Sequence, residues 1–167
     1  MIEYIFSRRS IRNYIDKEIP NKDIELILKS AMYAPSAMNL QPWHFIVFDN
    51  KEIFQRLISA IPHAEMIKGA DKCILVCGDS IKEKNESWLI QNCSASIQNI
   101  LLSAEALVIG SCWIAIHGMD EIVSNVKKEF SLPSEIIPIA LISLGYPNEV
   151  ITAEDRYDLG KIHFNGW

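Results

Sequence analysis

The sequence predicts an α+β sandwich, helices packed over a small sheet, in a single domain spanning residues 1–167. Three observations predict it. Helical and strand signals alternate along the chain, with helix outweighing strand. The strand signals are few and short, so the sheet is small. One helical stretch, Trp88 to Ile109, is apolar nearly all round, which marks a central, buried helix rather than a surface one. A chain of 167 residues, 49% hydrophobic and 22% charged, is long enough to bury a good core and has little room for a second domain.

The elements follow in order. Ile2 to Phe6 reads as a short first helix. It feeds Arg8-Arg9-Ser10-Ile11-Arg12, and a polar link then runs to Pro20. Asn21 caps a helix over Lys22 to Tyr33, with Ile24, Ile27, Leu28 and Ala31 in one apolar stripe. Pro35 follows where that helix must stop. Pro35 to Trp43 is a loop holding two prolines, with Trp43 as an anchor in the core. His44 to Asp49 is rich in β-branched and aromatic residues and reads as a strand. Asp49 or Asn50 caps a helix to about Ile61, with Ile53, Phe54, Leu57 and Ile58 facing inward. Cys73 to Gly78 is a second strand, and Ser80 to Ser87 a polar loop.

In the long helix, Ile90, Cys93, Ile97, Ile100, Leu101, Ala104, Leu107 and Val108 recur at spacings of three and four, and only Glu105 is charged. Gly110 ends it. Ser111 to Ile116 is a third strand. Asp120 opens a helix to Phe130, whose last turn carries Lys127 and Lys128, where cations suit the helix dipole. Ile136 to Leu144 is a fourth strand, stopped by Gly145-Tyr146-Pro147. The tail from Asn148 is polar but closes on Ile162-His163-Phe164-Asn165-Gly166-Trp167, and such aromatics are expected to dock on a surface. The long helix carries more apolar surface than a lone copy covers comfortably, so a homodimer is expected.

Charge and motif content exclude several functions. A formal net charge of −5 argues against nucleic-acid binding, which needs a basic face. The longest apolar run, Ile136 to Leu144, contains a proline and is too short to span a bilayer, so no membrane partner is expected. The opening residues lack a basic region and an apolar signal core, which points to the cytoplasm. Cys73, Cys77, Cys93 and Cys112 form no CxxC pair and sit among aliphatic residues, as buried reduced thiols do. His44, His63, His117 and His163 have no ligand spacing, so no metal site is expected. Dinucleotide, P-loop, HExxH and GxSxG signatures are all missing.

Against that background, three arginines within five residues on an acidic chain stand out. Guanidinium forks suit phosphate or carboxylate, and Ser10 adds a hydroxyl. Taken alone the stretch reads first as a solvated turn after a short helix. It does not stand alone. Arg8-Arg9-Ser10-Ile11-Arg12, then Ala34-Pro35-Ser36-Ala37-Met38-Asn39-Leu40-Gln41-Pro42-Trp43, then Gly110-Ser111-Cys112-Trp113-Ile114-Ala115 resemble the nitroreductase family in order, spacing and carrying element. Asp155-Arg156-Tyr157, Lys161-Ile162-His163 and Trp167 resemble the end of its short bacterial members.

The resemblance implies an α-β-α sandwich with a mainly antiparallel sheet, and a homodimer with tightly bound FMN at its interface. It implies NADH or NADPH as reductant and a small-molecule electron acceptor. Arg8, Arg9, Ser10 and Arg12 would bind the phosphate, the ribityl oxygens and the pyrimidine edge, with Arg156 on the phosphate. Some members carry a second cation two residues earlier, where this chain has Glu154. Pro35, Ser36 and Ala37 would pack on the ring bound by the other subunit, with Asn39 and Gln41 supplying amides; an Asx turn is the structural alternative for Asn39. Trp113, Ile116, His117 and Gly118 would run along the far side, with the His117 and Gly118 amides toward flavin N5. As an isolated residue, His117 reads first as a surface loop histidine rather than an acid or base. No side chain is expected to act as a nucleophile or a catalytic acid or base.

The function implied is ping-pong hydride transfer from NAD(P)H to a nitroaromatic, a quinone or a free flavin. Larger members insert helices where this chain has only Ser80 to Ser87, so a more open, less selective pocket is expected. The alternatives are a flavin store or redox sensor without turnover, and a flavin-free dimer whose arginines hold a phosphate or a partner.

Overall fold

The computed structural model describes residues 2–167. In chain order they form α1 (Ile2–Ser7), β1 (Tyr14–Ile15), α2 (Asn21–Met32), β2 (Trp43–Phe48), α3 (Lys51–Ala60), β3 (Lys72–Asp79), α4 (Glu86–Ala106), β4 (Gly110–Ala115), α5 (Asp120–Glu129) and β5 (Ile136–Pro147). Short 3₁₀ turns fall at Ala37–Asn39, Pro62–Gly69 and Leu159–Lys161. The α+β sandwich expected from the sequence is the one observed. No helix among the described residues is long and apolar enough to cross a membrane.

Every strand pairing in the sheet is antiparallel: β2 with β3, β3 with β5, and β4 and β1 with β5. Strand β5 is bonded along both edges, with β3 on one side and β4 on the other, and its last two residues pair with β1. It is buried almost throughout, so its sequence is continuously apolar rather than alternating. Helices cover both faces. Ile24, Ile27, Cys93, Ile97 and Ile100 of α2 and α4 pack on one, against Ile74, Val76 and Ile142. Phe54, Leu57 and Val126 of α3 and α5 pack on the other, against Leu75, Leu141 and Ile114.

Pro138 lies inside β5 without an N–H to give. The β3–β5 register shifts there: Val76 faces Ala140 while Cys77 faces Pro138, which leaves Ile139 as the extra residue of a bulge. That irregularity returns in the site below.

Most element ends fall within a residue or so of the sequence expectation, and four boundaries differ for an identifiable physical reason. Asn21 is the first helical residue of α2 rather than its cap; Pro20 stands at the cap, with no side-chain bond to the helix. Helix α4 begins at Glu86, because Asn85 Oδ1 accepts the Trp88 N–H at 3.2 Å. It ends at Ala106, and the chain turns at Val108, whose φ is +60°. Gly110 therefore does not stop the helix; it opens β4. A Cβ there would lie 2.9 Å from Ile11 Cβ, so glycine is needed for close approach. Gly145-Tyr146-Pro147 does not stop β5 either, because Tyr14 and Ile15 pair with Pro147 and Tyr146.

Gly145 is required for the same physical reason as Gly110. Tyr14 lies buried across it, its hydroxyl 2.8 Å from Ser143 Oγ. A Cβ at position 145 would come within 2.6 Å of the Tyr14 ring. Gly145→Ala should overpack this contact and lower unfolding free energy by about 1–3 kcal/mol. A urea midpoint that does not fall would contradict the assignment.

Candidate functional site

The arginine stretch is laid against the sheet by its backbone. Ser10 makes a parallel bridge with Ser111, and the Ile11 N–H donates to the Ser111 carbonyl at 3.0 Å. From the other side, Glu149 Oε1 accepts the Arg12 and Asn13 N–H groups at 2.6 and 2.9 Å. These contacts use main-chain atoms and leave the guanidinium groups to be aimed. Arg9 Nη1 reaches the carbonyls of Phe6 and Arg8 at 2.8 and 2.6 Å, and Arg12 Nη1 that of Ser10 at 3.3 Å. No carboxylate among the described residues pairs with the side chains of Arg8, Arg9 or Arg12. On an acidic chain, three guanidiniums on a fixed strap without carboxylate partners make a candidate anion site.

Arg156 joins them. Arg9 and Arg156 line one cavity of about 750 Å³, together with Ile5, Phe6, Ala153 and Glu154. Asp155 and Tyr157 complete the lining, so two carboxylates face the cavity beside the two cations. Glu154, which stands where a second cation was looked for, faces the same cavity.

The Pro35–Gln41 loop is the most strained segment of the fold. Met38, Asn39 and Gln41 have φ of +51°, +56° and +48°, in the left-handed region that side chains with a Cβ disfavour. Hydrogen bonds hold it. Ser36 Oγ accepts the Gln41 N–H at 3.0 Å, and Asn92 Oδ1 on α4 accepts the Ala37 N–H at 2.9 Å. Asn39 makes no Asx turn: its Oδ1 accepts from the Gln41 side chain at 3.1 Å. Pro42 and Trp43 are buried, and the Pro42 carbonyl accepts the Asp79 N–H at 2.8 Å. Trp43 is therefore the core anchor expected of it, while Asn39 and Gln41 stay exposed.

At the end of β4 the expected residues divide. Trp113 stands outward on the α4 side of the sheet edge. Ile116 does not face a site. Its side chain is fully buried, its N–H donates to the Ile139 carbonyl at 3.2 Å and its own carbonyl accepts from Met119. The His117 N–H is also spent on Ile139, at 3.0 Å, so it cannot point at a ligand. Gly118 follows at φ +88°, with open space around it and no partner for its N–H among the described residues. The His117 ring lies 2.9 Å from Glu86 Oε1, and His63 Nε2 lies 2.9 Å from the Ala115 carbonyl. His63, Glu86, Asn92 and Glu149 carried no local sequence signal for these roles; each acts across a long chain separation.

The loop and the strap stand at opposite ends of α4. The loop is tied at Asn92, whereas Ser7, just before the arginines, donates to Glu105 at 2.5 Å. Thirteen residues at about 1.5 Å each put these anchors roughly 20 Å apart. In one copy the two motifs do not converge.

A family model described as the Nitroreductase family matches residues 5–72 and 62–146. A protein of Methanothermobacter thermautotrophicus, provisionally named NADH dehydrogenase/NAD(P)H nitroreductase, is 40% identical over 167 residues, covering 100% of this chain and 87% of that one. An FMN-dependent nitroreductase of Clostridium difficile R20291 has a solved structure similar to this one at a TM-score of 0.92, with 34% identity and 100% of each chain covered. A Desulfovibrio desulfuricans structure in complex with FMN, provisionally described as a nitroreductase, aligns at 0.85 with 28% identity, covering 99% of this chain and 96% of that one.

None of the thiols is poised as a nucleophile. All four are buried and unbridged. Burial pushes Cys77 and Cys93 up to about 12 and raises Cys73 and Cys112 as well, although Arg12 and Arg8 pull the last of these back down. A pKa near 12 leaves about one thiolate in ten thousand at pH 8. The native protein should therefore resist a disulfide reagent at pH 8, and all four cysteines should react once it is unfolded. Rapid labelling of the native chain would contradict this.

Proposed function

The chain belongs to the nitroreductase family, and from that premise we propose that it is an FMN-dependent oxidoreductase working at the interface of a homodimer. The observation that carries the reading is the convergence of Arg9 and Arg156, from opposite ends of the chain, on one cavity beside a strap of uncompensated arginines. The donor set fits the cofactor: guanidiniums for a phosphate dianion, the Ser10 hydroxyl for ribityl oxygens, and an open backbone N–H at Gly118.

Bound FMN would supply two-electron redox chemistry, linking NADH or NADPH as reductant to an electron-poor acceptor such as a nitroaromatic, a quinone or a free flavin. The protein's own residues bind and orient. Arg8, Arg9, Arg12 and Arg156 hold the phosphate and the oxygen-rich edge. The Gly118 N–H is the amide left to meet N5, because those of Ile116 and His117 belong to Ile139. Trp113 presents its ring at the sheet edge. Pro35, Ser36, Ala37, Asn39 and Gln41 meet the ring from the second copy, since their loop lies at the far end of α4 from the arginines of its own chain.

Two unpartnered surfaces support the dimer. A groove of about 770 Å³ is lined by Tyr4, Ile5, Leu26, Tyr33, Leu102 and Ala106 among others, and it is mostly apolar. Every residue from Val150 to Trp167 is exposed, including Tyr157, Leu159, Phe164 and Trp167. Such apolar surface calls for a partner. The connection from β3 to α4 is only Ser80 to Asn85, which leaves the acceptor side open and suits loose selectivity. A cytoplasmic setting, with its nicotinamide pool, suits the reductant.

Purified protein should show flavin absorption that bleaches when NADH or NADPH is added without oxygen and returns with a nitroaromatic or a quinone. A spectrum that stays flat after FMN reconstitution would overturn the reading, and a flavin that does not bleach would make the protein a store. Arg12→Ala or Arg156→Ala should each weaken FMN binding by roughly 1.5–3 kcal/mol, the scale of a charged hydrogen bond, in a fluorescence titration. Sedimentation should give twice the chain mass.

A further inference from the structure

We infer that Asn92, buried inside α4, is the positioning residue of the site: it fixes the Ala37 amide and through it the strained Pro35–Gln41 loop. The inference rests on the flavin reading above and names a part of the machinery that touches no ligand itself.

The argument starts from what Asn92 costs. It is 5% exposed, in the most apolar helix of the molecule, on the face that packs with Ile97, Ile100 and the sheet. Its Nδ2 has no partner among the described residues, and neither has the Ser96 Oγ one helical turn further on. An unpaired buried amide group is destabilising, and an apolar side chain of similar volume would avoid it. The position therefore keeps an asparagine at a loss to the core. What it holds in return is the single bond at its Oδ1, which accepts the Ala37 N–H at 2.9 Å across 55 residues.

The loop needs that bond. Three of the four residues from Met38 to Gln41 adopt left-handed φ without being glycine. Such backbone persists only where the surroundings over-determine it. The other bonds of residues 36–41 are internal to the loop: Asn39 N–H to the Ser36 carbonyl, Leu40 N–H to the Ala37 carbonyl, Gln41 N–H to Ser36 Oγ and the Gln41 amide to Asn39. They set its shape but not its place. Pro42 and Trp43 seat the C-terminal end. Among the described residues, the Asn92 bond is the one that ties the middle of the loop to the body of the protein. Ser36 and Ala37, on either side of that bond, are the residues offered to the ring.

Four chains test this: the wild type, Asn92→Ala, Asn92→Asp and Ala37→Pro. Asn92→Asp keeps the acceptor oxygen. Ala37→Pro deletes the donor N–H and leaves α4 untouched, so it reads the same bond if Asn92→Ala fails to fold. Without FMN, backbone hydrogen exchange of residues 36–41 should quicken about tenfold in Asn92→Ala, the scale of one lost hydrogen bond, while α4 keeps its protection. Asn92→Asp should restore the slower exchange of the loop. With FMN, Asn92→Ala and Ala37→Pro should both bind about tenfold more weakly than wild type and show altered visible circular dichroism of the flavin, with Asn92→Asp close to wild type. Loop exchange and flavin signals equal to wild type in a folded Asn92→Ala, or in Ala37→Pro, would overturn the inference. Failure of the flavin reading looks different: the wild type itself would not bind FMN, while the exchange data would still report on the bond.

Discussion

The structure depends on β5 being hydrogen-bonded along both edges. β3 occupies one edge, which fixes β2 beyond it and the helices over both faces. β4 occupies the other, the edge against which the arginine strap lies. The arginine strap is placed there in two steps. Tyr14 and Ile15 extend β5, and Ser10 and Ile11 then bond to Ser111 on the outer side of β4. Two glycines make the approach possible, Gly110 under Ile11 and Gly145 under Tyr14. The strap is thus held through its main-chain N–H groups, by the Ser111 carbonyl and the Glu149 carboxylate, and by close packing rather than by ion pairs to its guanidiniums. A carboxylate on each guanidinium would have neutralised the feature that makes the strap useful.

A second consequence of β5 reaches the opposite end of β4. Pro138 cannot donate, the register slips, and Ile139 is left as the bulged residue. Its carbonyl then takes two N–H groups, from Ile116 and His117. The chain leaves the sheet at Gly118, where φ is +88° and the N–H is open. A proline in the central strand thereby decides which amide is available at the rim. Bulges often re-aim groups beside sites, and this one does so by exhausting its neighbours.

Legibility in the sequence followed the range of the interaction. Helices α2, α3 and α5 and strands β2 and β3 carry their own periodicity, and they lie within a residue or two of where it puts them. Strand β1 has two residues and exists only through Pro147 and Tyr146, so no local pattern could reveal it. Gly110 looked like a helix stop because glycine has two uses, left-handed backbone and close approach; here the second applies, and Val108 makes the turn instead. The arginines were legible as a motif, and their lack of acidic partners was not. Ile116 was misjudged because alternation along β4 turns it into the core. Asn92 was invisible for the opposite reason, a polar residue inside an apolar stripe whose partner lies in another element.

The length of helix α4 is what the proposed two-chain site rests on. Its C-terminal end meets α1 and the strap through Glu105, and its N-terminal half holds the loop through Asn92. A rigid rod roughly 20 Å long between those anchors cannot bring them to one ring. A two-fold axis can, because an isologous contact that sets the loop of one copy on the strap of the other does the same in reverse. Both composite sites would then form in a single event, and the exposed tail and the apolar groove would be covered as part of it. On this proposed geometry the loop's strained backbone, held in place through Asn92 Oδ1, would serve the partner's ligand rather than that of the chain that carries it.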